Sequence, residues 1–192
     1  MDMTIKVKAI IGSTNPASFN AKVVDFMSKR YADKLDIIPV SISDVENFSV
    51  EIEETPPVHA QAFKDKVKDS DAVLFAVPEY NFSIPGVLKN AIDWLSRGGD
   101  LTLKDKPGFI VGSSPGVLGS VRAQQHLREI LSNPALAPIL LPNNEVYIGS
   151  VHEKINEAGD ITDQGTIDFL DTVVDNFVEF YNRVKHVDTM KV

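Results

Sequence analysis

Three short segments of this chain concentrate hydroxyl, amide and aromatic side chains in patterns suited to a small ligand. They cover residues 12–20 (GSTNPASFN), 78–86 (PEYNFSIPG) and 112–119 (GSSPGVLG). The first segment follows an apolar run and opens a helical pattern, where backbone N–H groups and the helix macrodipole favour an anion. It has neither the G-x-G-x-x-G pattern nor a Gly-Lys pair, which favours a single terminal phosphate over a dinucleotide. Simple N-capping by Ser18 or Ser13 explains the same residues equally well.

The second segment combines a rigid frame with groups that suit a flat heterocycle. Pro78 and Pro85 bracket Glu79, Tyr80 and Asn81. An aromatic or proline surface covers a ring face, while amides address ring heteroatoms. A rigid strand–helix turn is the alternative, and it explains Pro85 and Gly86 better than Tyr80 and Asn81. In the third segment the small residues allow a ligand close to the backbone, and they would serve a plain turn equally well.

Alternating strand and helix patterns position these three segments. Apolar runs predict strands over residues 5–11, 35–40, 72–77 and 109–111, with a last strand region at 139–141 plus 146–148. Three- and four-residue spacing predicts helices over 19–30, 57–69, 85–96, 118–132 and 167–184. Such alternation predicts a parallel sheet with right-handed crossovers. Five strands fit the order 2-1-3-4-5, in which a ligand binds beyond the carboxyl ends of strands 1 and 3, so the segments after strands 1, 3 and 4 are expected to meet.

Composition excludes several classes of protein. The chain has 192 residues, of which 43% are hydrophobic and 24% charged, as in one globular domain spanning 1–192. No signal peptide or membrane-length apolar run is present, which predicts a cytoplasmic protein without a membrane partner. The net charge is −8, and no basic stripe for nucleic acid is visible. Without cysteine there is no thiolate chemistry, and the four scattered histidines predict no metal site.

The three segments, read together with the helices that follow them, resemble the NADPH-dependent FMN reductase family. The motifs are GSTNPASFN, PEYNFSIPGVLKNAIDWLSR and GSSPGVLGSVRAQQHLREIL, and the likeness extends from about residue 5 to 148. Within the family, the likeness is to the bacterial quinone, chromate and azo-dye reductases. It implies a flavodoxin-like three-layer α/β sandwich that binds FMN and uses NADPH or NADH as co-substrate. It further implies ping-pong hydride transfer through FMN to small oxidants such as quinones, azo dyes, nitroaromatics or chromate, by a homodimer or homotetramer.

The resemblance also assigns cofactor-binding residues. Those implied for the phosphate are Ser13, Asn15, Ser18, Phe19 and Asn20; those for the ring and ribityl chain are Pro78, Glu79, Tyr80 and Asn81; those for the other ring edge are Ser113 and Gly116. The family usually carries Arg at the position of Asn15, so the loss of a charged bidentate contact predicts weaker FMN binding here. The flavin carries the chemistry, so no catalytic residue is assigned. The Glu79 backbone is expected to face the flavin, and its side chain to serve helix or subunit contacts.

Three further side chains suggest contacts between subunits. Trp94 is either a core residue or part of a dimer face that covers the flavin, and the dimer face is favoured because its neighbours on the same helix already supply a core stripe. Arg122 and Glu145 are candidates for inter-subunit charge pairs, or for surface pairs of no consequence. Other functions remain open: a flavin reductase that releases reduced FMN, a flavodoxin-type FMN electron carrier suited by the acidic charge, and a flavin-holding redox-sensing interaction module.

Overall fold

The computed structural model describes residues 4–99 and 101–189. Its strands are β1 (Ile5–Ile11), β2 (Leu35–Val40), β3 (Ala72–Ala76), β4 (Pro107–Ser113), β5 (Ile139–Leu140) and β6 (Val146–Ile148). Its α-helices are α1 (Phe19–Arg30), α2 (Val58–Lys68), α3 (Gly86–Leu95), α4 (Val121–Leu131) and α5 (Gln164–Thr189). The sheet has the order β2-β1-β3-β4-β5, and β6 also pairs with β4. The predicted parallel α/β fold and its strand order are therefore confirmed, with a sixth strand added.

Helices cover both faces of this sheet. The helices α1 and α5 pack on one face, and α2, α3 and α4 pack on the other. Along β3, Leu74 joins the core under α1 and α5, while Val73 and Phe75 join the opposite core. Side chains of a strand alternate between the two faces, so a strand that is buried on both sides has apolar residues throughout.

The last predicted strand region consists of two short strands along one side of β4. β5 pairs with Pro107 and Gly108, whereas β6 pairs with residues from Val111 onward. Between them, Pro142 has no N–H for the ladder and Asn143 has a φ of 56°, which ends the extended pairing. The helix predicted from residue 118 begins only at Val121, because the two residues before it have left-handed backbone angles.

The central strands end level with one another, which fixes the position of the loops after them. Ile11 lies beside Ala76, and Ala76 lies beside Val111. The Gly12 N–H donates to the Ala76 carbonyl at 2.8 Å, and the Val77 N–H donates to the Val111 carbonyl at 2.9 Å. The loops after β1, β3 and β4 therefore start at one edge of the sheet, as the order 2-1-3-4-5 requires.

The closing helix α5 is longer than predicted and is fastened to α1. The Arg30 guanidinium donates to both carboxylate oxygens of Asp171 at 2.7 Å, and the Tyr31 hydroxyl donates to the same group at 2.8 Å. The hydrogen bond from Arg30 holds the pKa of Asp171 below its ordinary value. Among the helices of the described residues, none combines the length and apolar character needed to cross a membrane.

Trp94 is buried within the chain, so its interpretation as a dimer-face residue is wrong. Its side chain has no exposed surface, and its indole N–H donates to the Glu46 carbonyl at 2.7 Å. The Phe48 ring meets it edge to face, with centroids 5.1 Å apart. The long connection between β2 and α2 folds over α3 and covers the indole, and such a contact between distant segments leaves no periodic signal in the sequence.

Candidate functional site

A cavity of about 270 Å³ lies at the carboxyl edge of the sheet, where the three loops meet. Its lining comprises Ser13, Asn15, Ala17, Ser18, Phe19, Asn20, Pro78, Glu79, Tyr80, Ser113, Ser114 and Pro115. Nine of the eleven cofactor-binding residues expected from the sequence are among them. Asn81 and Gly116 lie further along the second and third loops and do not line the cavity. Ala17, Ser114 and Pro115 were missed, and only their position inside the three motifs could have indicated them.

The first loop is organised by its own polar side chains. The Ser13 hydroxyl accepts from the Asn15 N–H at 3.1 Å, and the Asn15 side-chain oxygen accepts from the Ala17 N–H at 2.9 Å. Ser18 is the N-cap of α1, and its hydroxyl accepts from the Ala21 N–H at 3.4 Å. Ser18 therefore caps α1, as one of the two interpretations of this segment predicted. Capping does not compete with anion binding, because the first turn of a helix leaves several N–H groups without intrahelical acceptors.

Asn20 clamps the first loop to the third. Its side chain is almost fully buried; the amide nitrogen donates to the Ser113 carbonyl and the amide oxygen accepts from the Ser113 N–H, both at 3.0 Å. Both polar atoms of the amide are therefore engaged by protein backbone. The geometry makes Asn20 a residue that positions the cavity walls.

Ser113 has a hydroxyl that the described protein atoms do not satisfy. The residue is only 3% exposed, and its Oγ has no hydrogen-bond partner although it belongs to the cavity lining. A buried hydroxyl without a partner is uncommon in folded proteins and costs free energy. A ligand with a polar edge would supply that partner, so this wall fits the edge of a flavin ring.

The second loop is a tight hairpin with unusual backbone angles. Tyr80 and Ser83 exchange two backbone hydrogen bonds, at 2.9 and 3.0 Å. The two residues between them, Asn81 and Phe82, have φ values of 51° and 65°, as in a type I′ turn. Asn tolerates this region, whereas Phe does not, so the turn stores strain at the mouth of the cavity. It leaves the rings of Tyr80 and Phe82 exposed.

The Glu79 side chain caps the N-terminus of α4, although the two are 43 positions apart in the chain. One carboxylate oxygen accepts from the Arg122 and Ala123 N–H groups at 3.0 and 3.3 Å. The residue at the N-cap itself, Ser120, has a φ of 66° and makes no side-chain capping bond. The expectation that the Glu79 side chain serves a helix contact is confirmed. The negative charge of the Glu79 carboxylate lies at the N-terminus of α4, where the helix macrodipole favours an anion.

Side chains in the first half of α4 also contact the hairpin of the second loop. The Arg122 guanidinium lies 4.1 Å from the Phe82 ring centroid and 3.9 Å from the second carboxylate oxygen of Glu79. Ser83 Oγ and His126 Nδ1 are 2.8 Å apart. Within one chain Arg122 is thus paired with Glu79, and Glu145 is exposed elsewhere. These contacts couple the hairpin to a helix that begins about forty residues later in the chain.

Two glycines of the third segment, Gly112 and Gly119, allow other parts of the protein to pack closely against the backbone. A Cβ at Gly112 would collide with Ser120 Oγ, with Gln124 Nε2 and with the Val77 carbonyl. A Cβ at Gly119 would lie 2.7 Å from the Ile148 nitrogen, and its φ is 58°. The sequence suggested close approach of a ligand or a plain turn. The structure shows that close approach of backbone and side chains from other elements requires these two glycines.

Comparison with known proteins agrees with this arrangement. The sequence model of the NADPH-dependent FMN reductase family matches residues 5–153. The NADH-dependent flavin reductase subunit 2 of Lactobacillus johnsonii is 37% identical over 185 residues, which cover 94% of this chain and 100% of that protein. A quinone reductase of Escherichia coli strain K12 is 36% identical over 189 residues, covering 96% of this chain and 100% of that protein.

A solved structure shows the same similarity in three dimensions. The flavoenzyme NAD(P)H:(acceptor) oxidoreductase from Paracoccus denitrificans superposes with a TM-score of 0.85 at 33% identity, covering 94% of this chain and 98% of the other. Family, relatives and structure agree on an oxidoreductase that uses a flavin and a nicotinamide nucleotide. This chain therefore belongs to the NADPH-dependent FMN reductase family.

Proposed function

We propose that this chain binds FMN noncovalently in the cavity at the carboxyl edge of its sheet. The FMN phosphate lies at the N-terminus of α1, and the ring lies between the hairpin and the third loop. The observation that carries the proposal is the unsatisfied, buried Ser113 hydroxyl in the wall of a cavity built by all three expected loops. Such a hydroxyl fits a ligand that presents hydrogen-bonding atoms along a flat edge.

Each wall of the cavity has its own part in holding the cofactor. The N–H groups at the start of α1 and the hydroxyls of Ser13 and Ser18 hold the phosphate. Pro78 and Tyr80 flank the ring, and Ser113 donates to its edge. A cavity of about 270 Å³ is at the small end of ligand sites. Part of the ring therefore stays uncovered, and a nicotinamide or an oxidant can stack there in turn.

When bound, FMN would supply the hydride chemistry between NADPH or NADH and a small oxidant such as a quinone, azo dye, nitroaromatic or chromate. The side chains have no proton-transfer role in this proposal. Glu79 and Tyr80 are the titratable residues in the lining, and the Glu79 carboxylate is occupied by the backbone of α4. The protein contributes by binding and orienting, so one shared site predicts ping-pong kinetics.

The same face is proposed to meet a second copy of the chain. Tyr80 and Phe82 in the second loop and Val117 and Leu118 in the third are exposed, with Val117 81% exposed. Apolar side chains gathered around a ligand site commonly mark an interface. A homodimer or homotetramer in light scattering would support this proposal, and a monomer at assay concentration would contradict it.

A second candidate is a flavin reductase that releases reduced FMN. Among the described residues, no lysine or arginine lines the cavity, which favours loose phosphate binding. The Lactobacillus johnsonii relative is a flavin reductase subunit by name. Gel filtration after loading with FMN separates the two candidates. Co-elution of flavin with the protein supports a resident cofactor, and separation supports release.

The test of the main proposal is a titration with FMN followed by anaerobic turnover. We expect bound flavin absorption, bleaching by NADPH or NADH, and recovery on adding a quinone. Ser113→Ala is expected to weaken FMN binding about fivefold, because one hydrogen bond is lost. Ser132→Ala is the matched control, since that hydroxyl donates to the Glu129 carbonyl at the far end of α4. A protein that binds no FMN, or a Ser113→Ala variant with unchanged affinity, contradicts the proposal.

A further inference from the structure

The described residues that line the cavity provide no positively charged side chain to neutralise a phosphate. A phosphate monoester carries about −1.5 to −2 charges at neutral pH. The charged side chain in the lining is Glu79, which is itself an anion. The macrodipole of α1 offers only about half a positive charge. A cation close to the N-terminus of α1 would therefore strengthen the binding of a ligand with a terminal phosphate.

Lys22 is the basic residue of α1 nearest in sequence to the N-terminus of the helix. It lies on the first turn of α1, and its ammonium nitrogen is 5.5 Å from the ring centroid of Phe19, which lines the cavity. Helical side chains lean toward the N-terminus of their helix, so a lysine in the first turn extends over the helix start. The aliphatic part of Lys22 passes close to Gly159, where a Cβ would lie 3.4 Å from both its Cγ and its Cδ.

Lys22 differs from the other basic residues of α1 in its ion pairing. Lys29 pairs with Asp25 and Arg30 pairs with Asp171, both at 2.7 Å. For Lys22, none of the described carboxylates lies within the 4.0 Å of an ion pair. Lys22 is a half-buried residue whose ammonium group lies over a ring that lines the cavity, and none of the described carboxylates pairs with it, so it is suited to an anionic ligand.

We propose that Lys22 is the residue that selects the phosphorylated flavin, FMN, over riboflavin. The proposal rests on the function proposed above. On binding, the ammonium remains over Phe19 and neutralises the phosphate held by the N–H groups of α1. Lys22 thereby supplies the positive charge that the first loop itself lacks. The Asn15 side chain stabilises the turn by accepting from the Ala17 N–H.

The experiment compares the affinities for FMN and riboflavin, measured by quenching of flavin fluorescence. Lys22→Met keeps the aliphatic stem and removes the charge, and Lys22→Arg keeps the charge. Lys29→Met is the matched control, one lysine removed from the same helix. We expect Lys22→Met to lose about tenfold in FMN affinity, as for a hydrogen bond between charged groups. Riboflavin affinity is expected to stay unchanged, and Lys22→Arg to retain FMN binding.

Salt dependence provides the second readout. FMN binding by the wild type should weaken with added salt, and the Lys22→Met variant should show a shallower dependence. Equal FMN affinity in Lys22→Met and Lys29→Met would overturn the role of Lys22 while leaving the FMN site intact. A parallel loss of FMN and riboflavin would also overturn it, because a merely structural lysine affects both. A wild type that binds neither flavin overturns the proposed function itself.

Discussion

The two edges of the sheet differ in how their polar side chains are satisfied. At the amino edge, the Lys106 ammonium donates to the carbonyls of Val67, Lys68 and Ser70 and to the Ser70 hydroxyl, over 2.6 to 3.2 Å. Nearby, Lys6 pairs with Asp69 at 2.6 Å. These groups close the end of α2 and satisfy one another. No cofactor-binding residue expected from the sequence lies there.

At the carboxyl edge, a buried polar atom stays unsatisfied beside residues with left-handed backbone angles, which the amino edge also contains at Asp105 and Ala137, with φ of 59° and 33°. Asn81, Phe82 and Ser120 are non-glycine residues with left-handed φ, and the Ser113 hydroxyl has no described partner. The feature that distinguishes the carboxyl edge is the buried Ser113 hydroxyl, which is held at a free-energy cost where a ligand could satisfy it. The amino edge therefore contributes stability and the carboxyl edge contributes binding, so substitutions at the two edges should affect different measurements.

The largest effect is expected from breaking the amino edge. Lys106→Met leaves several partly buried carbonyl groups without their donor, which should lower the free energy of unfolding by about 2–3 kcal/mol. Urea denaturation measures it, with the exposed neighbour Lys104→Met as control. FMN affinity of the folded variant should be unchanged. A loss of affinity would show that the two edges are not independent.

Adding a charge at the carboxyl edge should change affinity and not stability. Asn15→Arg provides a bidentate phosphate contact and should tighten FMN binding about tenfold, while the turn loses the hydrogen bond to the Ala17 N–H. Fluorescence titration measures it, with Asn133→Arg as a control, since Asn133 makes the same local contact in a loop after α4. Unchanged FMN dissociation would contradict a phosphate position at this loop.

Relieving the strained hairpin should separate stability from binding. Phe82→Gly suits the left-handed angle and should raise the free energy of unfolding by up to ~1 kcal/mol, even after the loss of the contact with Arg122. Flavin turnover should fall, because the mouth of the cavity loses a ring. Thermal unfolding and NADPH oxidation test the two parts. A variant that is less stable than wild type would show that Phe82 is held by packing and not strained.

The amino edge is also expected to show a pH dependence of stability. Burial lowers the pKa of Lys106 to about 8 from an ordinary 10.5. The unfolded chain therefore holds more protons than the folded one between these values, and stability rises with pH across that window. The contribution is complete above 10.5 and is lost as pH falls through about 8. Comparing wild type with Lys106→Met from pH 7 to 10 should reveal it, and parallel curves would contradict it.

The sequence was sufficient where local pattern decides structure. The unbroken apolar run of β3 predicted a strand covered on both faces, and strand–helix alternation predicted the sheet order. Because loops after parallel strands meet at one edge, nine of the expected residues do line one cavity. What the sequence did not indicate is which polar atoms of those residues remain available. Asn20 is engaged by Ser113, 93 positions away, and Glu79 by α4, 43 positions away.

The sequence by itself determined the strands, the helices and the three loops, because periodicity and turn chemistry act over a few residues. Three further features were decided by the tertiary structure alone. The indole of Trp94 is buried beneath a loop that is distant in sequence, and the hairpin with left-handed backbone angles contacts Arg122 and His126. The Ser113 hydroxyl is buried without a hydrogen-bond partner among the described residues. Each depends on strand register and on how helices dock across the sheet. These relations join residues far apart in the chain, and no short pattern encodes them.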